Sequence, residues 1–351
     1  MMSDINIRIV GCAGRITLTR PKALNALSYD MATAIEAALA AWVNDDAVKL
    51  VIIDATGDKA FCAGGDIQQL YDTGRAGDFA YGQRFWRDEY RLNAIIAAYP
   101  KPYVALMQGF TMGGGVGISC HGSHRIVCEN SQIAMPEVGI GLVPDVGGSL
   151  LLARAPGRLG EYLGITAARM GPGDSIYCGF ADTYVPLEDW PEVIQTLETT
   201  GDLGVISAMA KAPPTGTTRG IQPHCDTHFG GETLADILSS LGTDSGDFAT
   251  ETLKKLGRNS PLSMACAVEI IHRLRGPGAD IQQALELEYR FTFRAMEHGD
   301  FLEGIRAAVI DKDRAPNWQH TLDTPPALAA TKMLMPLGED CLTFDKQGIT
   351  S

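Results

Sequence analysis

The residues best suited to chemistry lie in two glycine-rich stretches and one acidic stretch. FCAGGDI (61–67) and MGGGVGISCHG (112–122) each place glycines beside a compact apolar turn, where bare backbone can bring N–H groups close to a ligand oxygen. The third stretch, MPEVGIGLVPDVGG (135–148), sets Glu137 and Asp145 among apolar residues and glycines. Backbone donors combined with carboxylates are groups that act on a carbonyl compound.

Each of these features also has a purely structural interpretation. Isolated glycines often let a helix pack closely on a strand. Glu137 and Asp145 directly follow Pro136 and Pro144, and a carboxylate in such a position commonly caps a helix or lies in a surface turn. Because the glycine motifs and the carboxylates occur together, we favour the chemical interpretation.

The composition limits the class of protein. A chain of 351 residues with 45% apolar residues can bury a substantial core, in one large domain or two unequal ones. The net charge of −13 argues against nucleic-acid binding, which needs a concentrated basic face. The most apolar window, 103–120, is interrupted by Gln108 and five glycines, so we expect no membrane span, and the N-terminus lacks a signal-peptide pattern.

The cysteines and histidines indicate neither disulfides nor a metal centre. Eight cysteines without a CxxC pair are typical of reduced thiols, so we expect a cytoplasmic protein. One cluster resembles a metal-ligand set, namely His224, Cys225, Asp226 and His228. Its surroundings are rich in Pro, Thr and Gly, and no second pair lies at zinc-ligand spacing, so we interpret it as a polar surface loop and expect no metal. His121 and His124 beside Cys120 are interpreted in the same way.

The first half of the chain alternates short β-type runs with helical patterns. Residues 5–10 and 15–19 predict a hairpin, and Ser28 begins a helix with apolar residues at helical spacing. Further predicted strands are VKLVIID (48–54), YVALMQG (103–109), RIVC (125–128) and SQIAM (131–135). Helices are expected over 78–98 and, starting with glycine, after Met112. This alternation predicts an α/β fold.

The pattern changes beyond about residue 205. A break rich in Pro, Thr and Gly at 212–231 precedes helical patterns near 232–241, 247–257, 261–275, 279–298 and 301–310. We predict an α/β core at 1–205 and a helical C-terminal region at 206–351 that ends in an extended, proline-containing tail. The aromatic residues of this region, Tyr289, Phe291, Phe293, Phe301 and Trp318, are expected to pack in a lid rather than bind a cofactor.

The motifs resemble a known family. RPKALNAL (20–27), KAFCAGGDI (59–67), MGGGVG (112–117) and MPEVGIGLVPDVGG (135–148) are similar, in this order, to the crotonase superfamily of enoyl-CoA hydratases and isomerases. Within it the chain most resembles the branch of 3-hydroxyisobutyryl-CoA hydrolases. The resemblance continues through RDEYRLN (87–93), NSPLSM (259–264) and FLEGIRAAVIDKDRAPNW (301–318) and so covers most of the chain.

The resemblance implies a fold and a binding mode. The family fold is a spiral of ββα turns whose helical C-terminal part covers the active site. Acyl-CoA lies across the spiral, and its thioester oxygen accepts hydrogen bonds from an oxyanion hole of two backbone N–H groups. By position these donors are Gly65 and Gly114. The local sequence agrees, because a helix beginning near Met112 offers unsatisfied N–H groups to an oxygen that gains negative charge.

The resemblance also assigns residues to CoA. By position, the adenine-binding backbone includes Lys22, Ala23, Leu24, Ala63, Gly64, Asp66 and Ile67. Lys22 and Lys59 are available near the phosphates, although a single lysine is often only a solvated charge. The Asp66 side chain is expected to brace its own loop. The implied partner is a small acyl-CoA substrate, with no cofactor beyond the CoA that is part of it. Superfamily members commonly form trimers or pairs of trimers, which leaves the oligomeric state open.

Residue 117 decides which reaction the resemblance favours. Hydratases of the superfamily use two glutamates around one water, the first of them three residues after the donor glycine, where this chain has Gly117. The second glutamate is matched by Glu137, and Asp145 stands where hydratases commonly have a small residue. The hydrolase branch is similar to this chain at both positions. The resemblance therefore favours hydrolysis of a short 3-hydroxyacyl-CoA, such as 3-hydroxyisobutyryl-CoA from valine breakdown.

The expected mechanism uses Glu137 either as a nucleophile, through a mixed anhydride, or as a base toward water. Asp145 would orient the water or the substrate hydroxyl, or exchange a proton with the departing thiolate. Burial and mutual repulsion should raise the pKa of at least one of the two carboxyls, which then stays protonated. Glu89 of RDEYRLN matches a position that contacts the acyl group in the hydrolase branch; it holds the hydroxyl or carboxylate end of the substrate, or it is an exposed helix charge. Asp88 is expected to face solvent.

Three other functions stay open at this point. Enoyl-CoA hydration or isomerisation could use Glu137 with Asp145. A non-catalytic acyl-CoA-binding protein would keep the groove without turnover, although both carboxylates are present. A dinucleotide-binding oxidoreductase is disfavoured, because no early strand is followed by a GxGxxG turn and, about twenty residues later, an acidic residue.

Overall fold

The strands agree with the predicted hairpin and the predicted runs. A computed structural model describes residues 4–344. Its strands are β1 Ile5–Val10, β2 Ala13–Leu18, β3 Leu50–Ala55, β4 Ala60–Cys62, β5 Tyr103–Met107, β6 Phe110–Met112, β7 His124–Val127, β8 Gln132–Ala134 and β9 Thr183–Tyr184. The α/β prediction is confirmed.

The helices alternate with strands in the first half and dominate the second. They are α1 Tyr29–Trp42, α2 Gln68–Arg75, α3 Phe79–Ala97, α4 Gly114–Gly117, α5 Gly148–Arg154, α6 Leu159–Thr166, α7 Pro172–Tyr177, α8 Trp190–Thr200, α9 Gly204–Met209, α10 Thr218–His228, α11 Leu234–Gly242, α12 Asp247–Leu256, α13 Pro261–Leu274, α14 Ile281–His298, α15 Phe301–Ile305 and α16 Ala327–Met333. No helix within residues 4–344 is both long and apolar enough to cross a membrane.

The strands form two sheets that the chain visits in turn. The larger sheet has the order β1-β2-β3-β5-β7-β9, with β1 antiparallel to β2 and the other neighbours parallel. The smaller sheet, β4-β6-β8, is parallel. Along the chain, a strand of the larger sheet is followed by a strand of the smaller sheet and then by helical structure, and this order repeats. Successive ββα units therefore stack on one another. This repeat is the predicted ββα spiral.

Helix α1 forms where the sequence pattern places it. The hydroxyl oxygen of Ser28 accepts a hydrogen bond from the Met31 amide at 3.3 Å, which satisfies one of the free N–H groups at the helix start. The apolar residues Met31, Ile35, Leu39 and Trp42 are all buried, because their spacing places them on one helix face.

Helices α3 and α14 connect the α/β core with the helical C-terminal region. The Tyr289 hydroxyl donates to the carbonyl of Gln83 at 3.1 Å, and the rings of Tyr90 and Tyr289 meet edge to face at 6.2 Å. Tyr289, Phe291 and Phe301 are fully buried, as expected for packing residues. A single cluster of buried apolar side chains includes residues of both parts. The division into two domains at residue 205 stays a prediction.

The predicted loop around His224 is instead helix α10. Cys225 and His228 are buried, and His228 contacts Ser240 through Nδ1 at 3.0 Å and Asp244 through Nε2 at 3.1 Å. The prediction of a surface loop is therefore wrong, because packing of the inward residues outweighs the poor helix propensity of the surrounding sequence. Within residues 4–344, no three His, Cys, Asp or Glu side chains are grouped so that they could hold a metal ion.

The predicted extended tail contains helix α16. Ala330, Met333 and Leu334 are buried, and the Arg294 guanidinium of α14 donates to the carbonyl of Met333 at 3.0 Å. The prolines flank this helix, so they do not prevent it from forming. The tail prediction is wrong for this part, and residues 345–351 lie outside the described residues.

Replacing Leu285, which is fully buried in α14, by alanine is expected to lower the free energy of unfolding by about 2–5 kcal/mol, because a cavity remains. Leu328, in α16, is 71% exposed, and Leu328→Ala is expected to change the free energy by less than about 0.5 kcal/mol. Urea unfolding followed by circular dichroism measures both. Equal stability of the two variants would show that α14 does not belong to the core.

Candidate active site

The glycine and acidic motifs follow three neighbouring strands of the smaller sheet. Residues 63–65 follow β4, residues 113–115 follow β6, and residues 135–137 follow β8. The three strands are parallel, so their carboxyl ends lie at one edge of the sheet, where α/β proteins commonly bind ligands. The topology therefore brings together motifs that are up to about 70 residues apart in the sequence.

The loop at Gly64 and Gly65 packs directly against the turn at Gly113 and Gly114. Gly64 has a φ of +115° and Gly113 a φ of +49°, in the region that favours glycine. A Cβ atom on residue 114 would lie 3.4 Å from the amide nitrogen of Gly65. The two backbone segments thus meet without an intervening side chain.

Leu27 fixes the Gly65 loop in place. Its amide donates to the carbonyl of Gly64 at 2.9 Å, and its carbonyl accepts from the Asp66 amide at 2.8 Å. These bonds use groups on either side of Gly65, while the amides of Gly65 and Gly114 have no acceptor among residues 4–344. Both glycines line the same cavity. Their N–H groups can therefore donate to an oxygen bound there.

Helix α4, which follows Gly113, is a single turn. The sequence predicts a helix that starts with glycine after Met112, whose dipole would support the donors. Because a single turn of helix adds little dipole, the individual N–H groups supply the interaction with an oxygen.

Two buried carboxyl groups approach this backbone closely. Glu137 begins a turn of 3-10 helix after Met135 and Pro136, which follow β8, and a Cβ atom on Gly113 would lie 2.7 Å from its Oε1. A Cβ atom on Gly114 would lie 2.9 Å from Oε1 of Glu89, which α3 contributes. Glu89 is 4% exposed, so it is not an exposed helix charge. Asp88 beside it is half-buried rather than solvent-facing and pairs with Arg91 at 2.7 Å.

Asp145 lies in the turn that precedes α5. Its Oδ2 accepts a hydrogen bond from the Tyr90 hydroxyl at 2.8 Å. Tyr90 is fully buried and follows Glu89 in α3, so one helix contributes two polar groups to the site. The surface-turn interpretation of Asp145 is excluded, since the residue is 4% exposed.

One cavity of about 240 Å³ is lined by both donor glycines and all three carboxyl groups. Its polar lining consists of Gly65, Glu89, Gly114, Glu137 and Asp145. The remaining wall is mostly apolar and includes Leu70, Phe85, Trp86, Ile140, Leu142 and Phe301. Phe301 belongs to α15, so the C-terminal region covers part of the site.

Burial raises the pKa of each of the three carboxyls. For Glu137 and Glu89, loss of solvent is the main cause of the rise, and the charge of Asp145 adds to it. Burial also raises the pKa of Asp145, while the hydrogen bond from Tyr90 opposes the rise. Oε2 of Glu137 and Oε1 of Glu89 are buried without a hydrogen-bond partner in the described part of the chain. The cluster therefore retains protons at pH values where exposed carboxyls are ionised.

Residue 117 has no room for a side chain. A Cβ atom on Gly117 would lie 2.7 Å from Nδ2 of Asn93 and 2.8 Å from the Cβ of Val146. Asn93 is fully buried, and Val146 lines the cavity. A glutamate at this position would require both neighbours to move. The packed side chains of Asn93 and Val146 therefore leave no space for a glutamate at 117 to pair with Glu137.

The residues predicted to bind CoA fall into two groups. Ala63, Gly64 and Ile67 line the cavity that holds the carboxyls. Lys22 and Leu24 line a second cavity of about 320 Å³, together with Lys59. This places the two lysines at one depression of the surface.

Ala23 and Asp66 lie outside the two linings. Ala23 lies in the 3-10 turn Pro21–Ala23. One carboxylate oxygen of Asp66 pairs with the Arg20 guanidinium at 3.0 Å. Asp66 therefore connects its own loop, which it is expected to brace, with the loop that contains Arg20. The CoA contacts of all seven residues stay predictions.

Two polar residues of the site are missed by the sequence analysis. Tyr90 adjoins Glu89 in RDEYRLN, and its place in that motif is a signal that could have found it. Glu288 of α14 accepts a hydrogen bond from the Gly147 amide at 2.8 Å. No local signal indicates Glu288, because an acidic residue in an amphipathic helix normally faces solvent.

Comparison with curated proteins identifies relatives over most of the chain. The 3-hydroxyisobutyryl-CoA hydrolase of Rattus norvegicus, named mitochondrial, is 41% identical over 320 residues, which are 88% of this chain and 82% of the relative. The human protein of that name is 37% identical over 320 residues, which are again 88% of this chain and 82% of the relative.

The prediction of a cytoplasmic location is wrong by this comparison. The relatives from Rattus norvegicus, Xenopus tropicalis and Gallus gallus are all named mitochondrial. The prediction rested on unpaired cysteines and on an N-terminus without a secretory pattern. Neither feature distinguishes one reducing compartment from another.

Two solved structures are similar over nearly the whole chain. One, named an enoyl-CoA hydratase from Rhodobacter sphaeroides 2.4.1, has a TM-score of 0.94 and 57% identity and covers 97% of this chain and 100% of that one. The other, named a carnitinyl-CoA dehydratase from Mycobacterium thermoresistibile, has a TM-score of 0.92 and 38% identity. It covers 98% of this chain and 100% of that one. Residues 13–327 match the family described as Enoyl-CoA hydratase/isomerase. Because this match spans both the ββα spiral and the helices that cover its cavity, the chain belongs to the enoyl-CoA hydratase/isomerase family.

Proposed function

We propose that the protein hydrolyses the thioester of 3-hydroxyisobutyryl-CoA and releases 3-hydroxyisobutyrate and CoA. One observation carries the proposal: Glu137 and Asp145 share a cavity with the Gly65 and Gly114 amides, while Gly117 has no room for a side chain. Curated relatives at 37–41% identity have the name of this activity.

The Gly65 and Gly114 amides bind the thioester oxygen in this proposal. When a nucleophile adds to the carbonyl carbon, negative charge develops on that oxygen, and preorganised N–H donors stabilise it. Each such donor contributes on the order of a hundredfold or more in rate. The mostly apolar wall strengthens the interaction, because it keeps water away from the charge.

Glu137 is the reacting carboxyl. In one route its carboxylate attacks the carbonyl carbon, CoA leaves as a thiolate, and water then hydrolyses the mixed anhydride. In the other route it takes a proton from the water that attacks. Both routes consume one water and deliver one proton to the thiolate. Because Glu137 and Asp145 both resist ionisation, the pair retains a proton that it can deliver.

Glu89 and the two lysines determine how the substrate lies. Oε1 of Glu89 is buried without a partner, and a substrate hydroxyl can satisfy it. Glu89 therefore holds the 3-hydroxyl of the acyl group. Lys22 and Lys59 line the second cavity and bind phosphates of CoA.

Enoyl-CoA hydration is the second candidate, because the similar structure from Rhodobacter sphaeroides is named an enoyl-CoA hydratase. Such a reaction here would have to use Glu137 with Asp145 in place of two glutamates. The products distinguish the two reactions, since hydration leaves the thioester intact and hydrolysis releases a thiol.

The purified protein is expected to release free thiol from 3-hydroxyisobutyryl-CoA, because its cavity combines an oxyanion hole with a carboxyl pair. A thiol-reactive chromophore measures the rate. Incubation with crotonyl-CoA under the same conditions is the parallel assay, and loss of its enoyl absorbance without thiol release would favour the hydratase. An inactive protein that still binds both esters would instead be an acyl-CoA-binding protein.

Glu137→Gln is expected to reduce kcat for hydrolysis by at least about a thousandfold, because the reacting carboxyl is lost. Affinity for the acyl-CoA, measured by calorimetry, should stay within about threefold, since the amide has the same size. Glu251→Gln, at an exposed position of α12, is the matched control and should retain full activity. Full hydrolysis by Glu137→Gln would refute the assignment.

The buried carboxyls also predict how stability depends on pH. Their pKa values are higher in the folded than in the unfolded chain, so the folded state binds more protons, and this contribution to stability falls as pH rises. Each carboxyl that ionises only on unfolding lowers the free energy of unfolding by about 1.4 kcal/mol per pH unit. Between about pH 6 and pH 8, Glu137→Gln should show a smaller fall in Tm than the unsubstituted protein. An identical slope would contradict the raised pKa of Glu137.

A further inference from the structure

A fourth buried carboxyl lies beside the site without a part in the mechanism above. Glu288 of α14 is fully buried. Its Oε2 accepts from the Gly147 amide at 2.8 Å, and its Oε1 accepts from the Ser149 amide at 3.2 Å and from the Ser149 hydroxyl. These amides belong to the first turn of α5, where N–H groups have no partner within the helix. Glu288, which belongs to the C-terminal region, therefore caps the N-terminus of α5.

The residue between Asp145 and Gly147 has a strained backbone. Val146 has a φ of +54°, a conformation that β-branched residues rarely adopt and that persists only where the surroundings enforce it. Its carbonyl contacts Nε2 of His121 at 2.8 Å. Burial lowers the pKa of His121 to about 4, so the ring is neutral and can donate one hydrogen bond to this carbonyl. His121 and Glu288 thus hold the turn from its two sides.

Helix α14 also reaches Asp145 by a second path. The Tyr90 hydroxyl, which donates to Asp145 at 2.8 Å, lies 3.5 Å from the hydroxyl of Thr292. Thr292 follows Glu288 by four residues, so both lie on the same face of α14. One face of a C-terminal helix therefore contacts the backbone after Asp145 and the partner of its side chain.

We propose that Glu288 is a positioning residue that holds the strained turn from Asp145 to Gly147, and through it directs the Asp145 carboxyl at Glu137. The proposal rests on the proposed function, because it assigns Asp145 a part in the reaction. Glu288 itself does not line the cavity and acts only through its hydrogen bonds. Loss of those bonds releases the turn, and the Asp145 carboxyl moves away from the thioester.

Glutamine at residue 288 tests this with little change in volume. An amide has one acceptor oxygen and cannot accept from both Gly147 and Ser149 with separate atoms. Because displacement of a catalytic group by about 1 Å can cost on the order of a hundredfold, Glu288→Gln is expected to lower kcat by about tenfold to a hundredfold, with KM within about threefold. The matched control is Glu286→Gln on the exposed side of α14, where Glu286 pairs with Arg290 at 2.7 Å; it should behave as the unsubstituted enzyme.

A double-mutant cycle separates positioning from general damage. If Glu288 acts through Asp145, Glu288→Gln should cause little further loss in a protein that already has Asp145→Asn. The same factor lost in both backgrounds would refute the proposal, and so would an unchanged kcat of Glu288→Gln. Ser149→Ala removes only one of the three hydrogen bonds to Glu288. If Glu288→Gln does not fold, Ser149→Ala replaces it in the same double-mutant cycle with Asp145→Asn. An unsubstituted protein that releases no thiol would refute the proposed function, whereas an active protein insensitive at residue 288 would refute only the positioning role.

Discussion

The close approach of two buried carboxyl groups to unsubstituted backbone is the constraint on which the site depends. A Cβ atom at residue 113 or 114 would collide with Glu137 or Glu89. The amide nitrogen of Gly65 would lie 3.4 Å from a Cβ atom at residue 114, so donors and acids can share one small cavity only while these positions are glycine. The parallel strands β4, β6 and β8 supply the required geometry, because the three segments that follow them all begin at the same edge of the smaller sheet.

The same packing that brings the acids together works against their ionisation. Glu89, Glu137 and Asp145 lose solvent, and the charge of Asp145 adds to the pKa rise of the other two. Such an arrangement contributes little to stability at neutral pH, whereas it keeps protons and unpaired acceptors beside the bound thioester. Clusters of this kind are characteristic of reaction sites rather than of structural ion pairs. The Tyr90 hydroxyl moderates the effect at Asp145 by favouring its ionised form.

The sequence patterns predict those features that depend on residues close to one another in the chain. The hairpin, α1, α3 and the glycine and acidic motifs all follow from the spacing of nearby residues, and the family resemblance then placed Glu137 and Asp145 in one site. The contacts of Asp145 with Tyr90 and of Gly147 with Glu288 join residues 55 and 141 positions apart, and spacing within a single motif does not record such pairs. Helix α10 was missed for a related reason. Its helical state depends on the burial of Cys225 and His228 against other helices, which local propensity does not include.

Similarity of the whole fold does not decide the reaction, because chemistry on a shared fold is determined at individual positions. The structure from Rhodobacter sphaeroides superimposes closely, yet the choice here depends on the space around Gly117. Asn93 and Val146 fill the volume that a first glutamate would need, and the contacts of His121 and Glu288 with the turn at Val146 keep this wall in place. The turn that closes this position also carries Asp145 into the cavity. Asp145 therefore enters the cavity from the side of α5, next to Glu137, and can exchange a proton with a departing thiolate. Replacing Gly117 alone would not restore a pair of glutamates, because Val146 could not withdraw without moving Asp145.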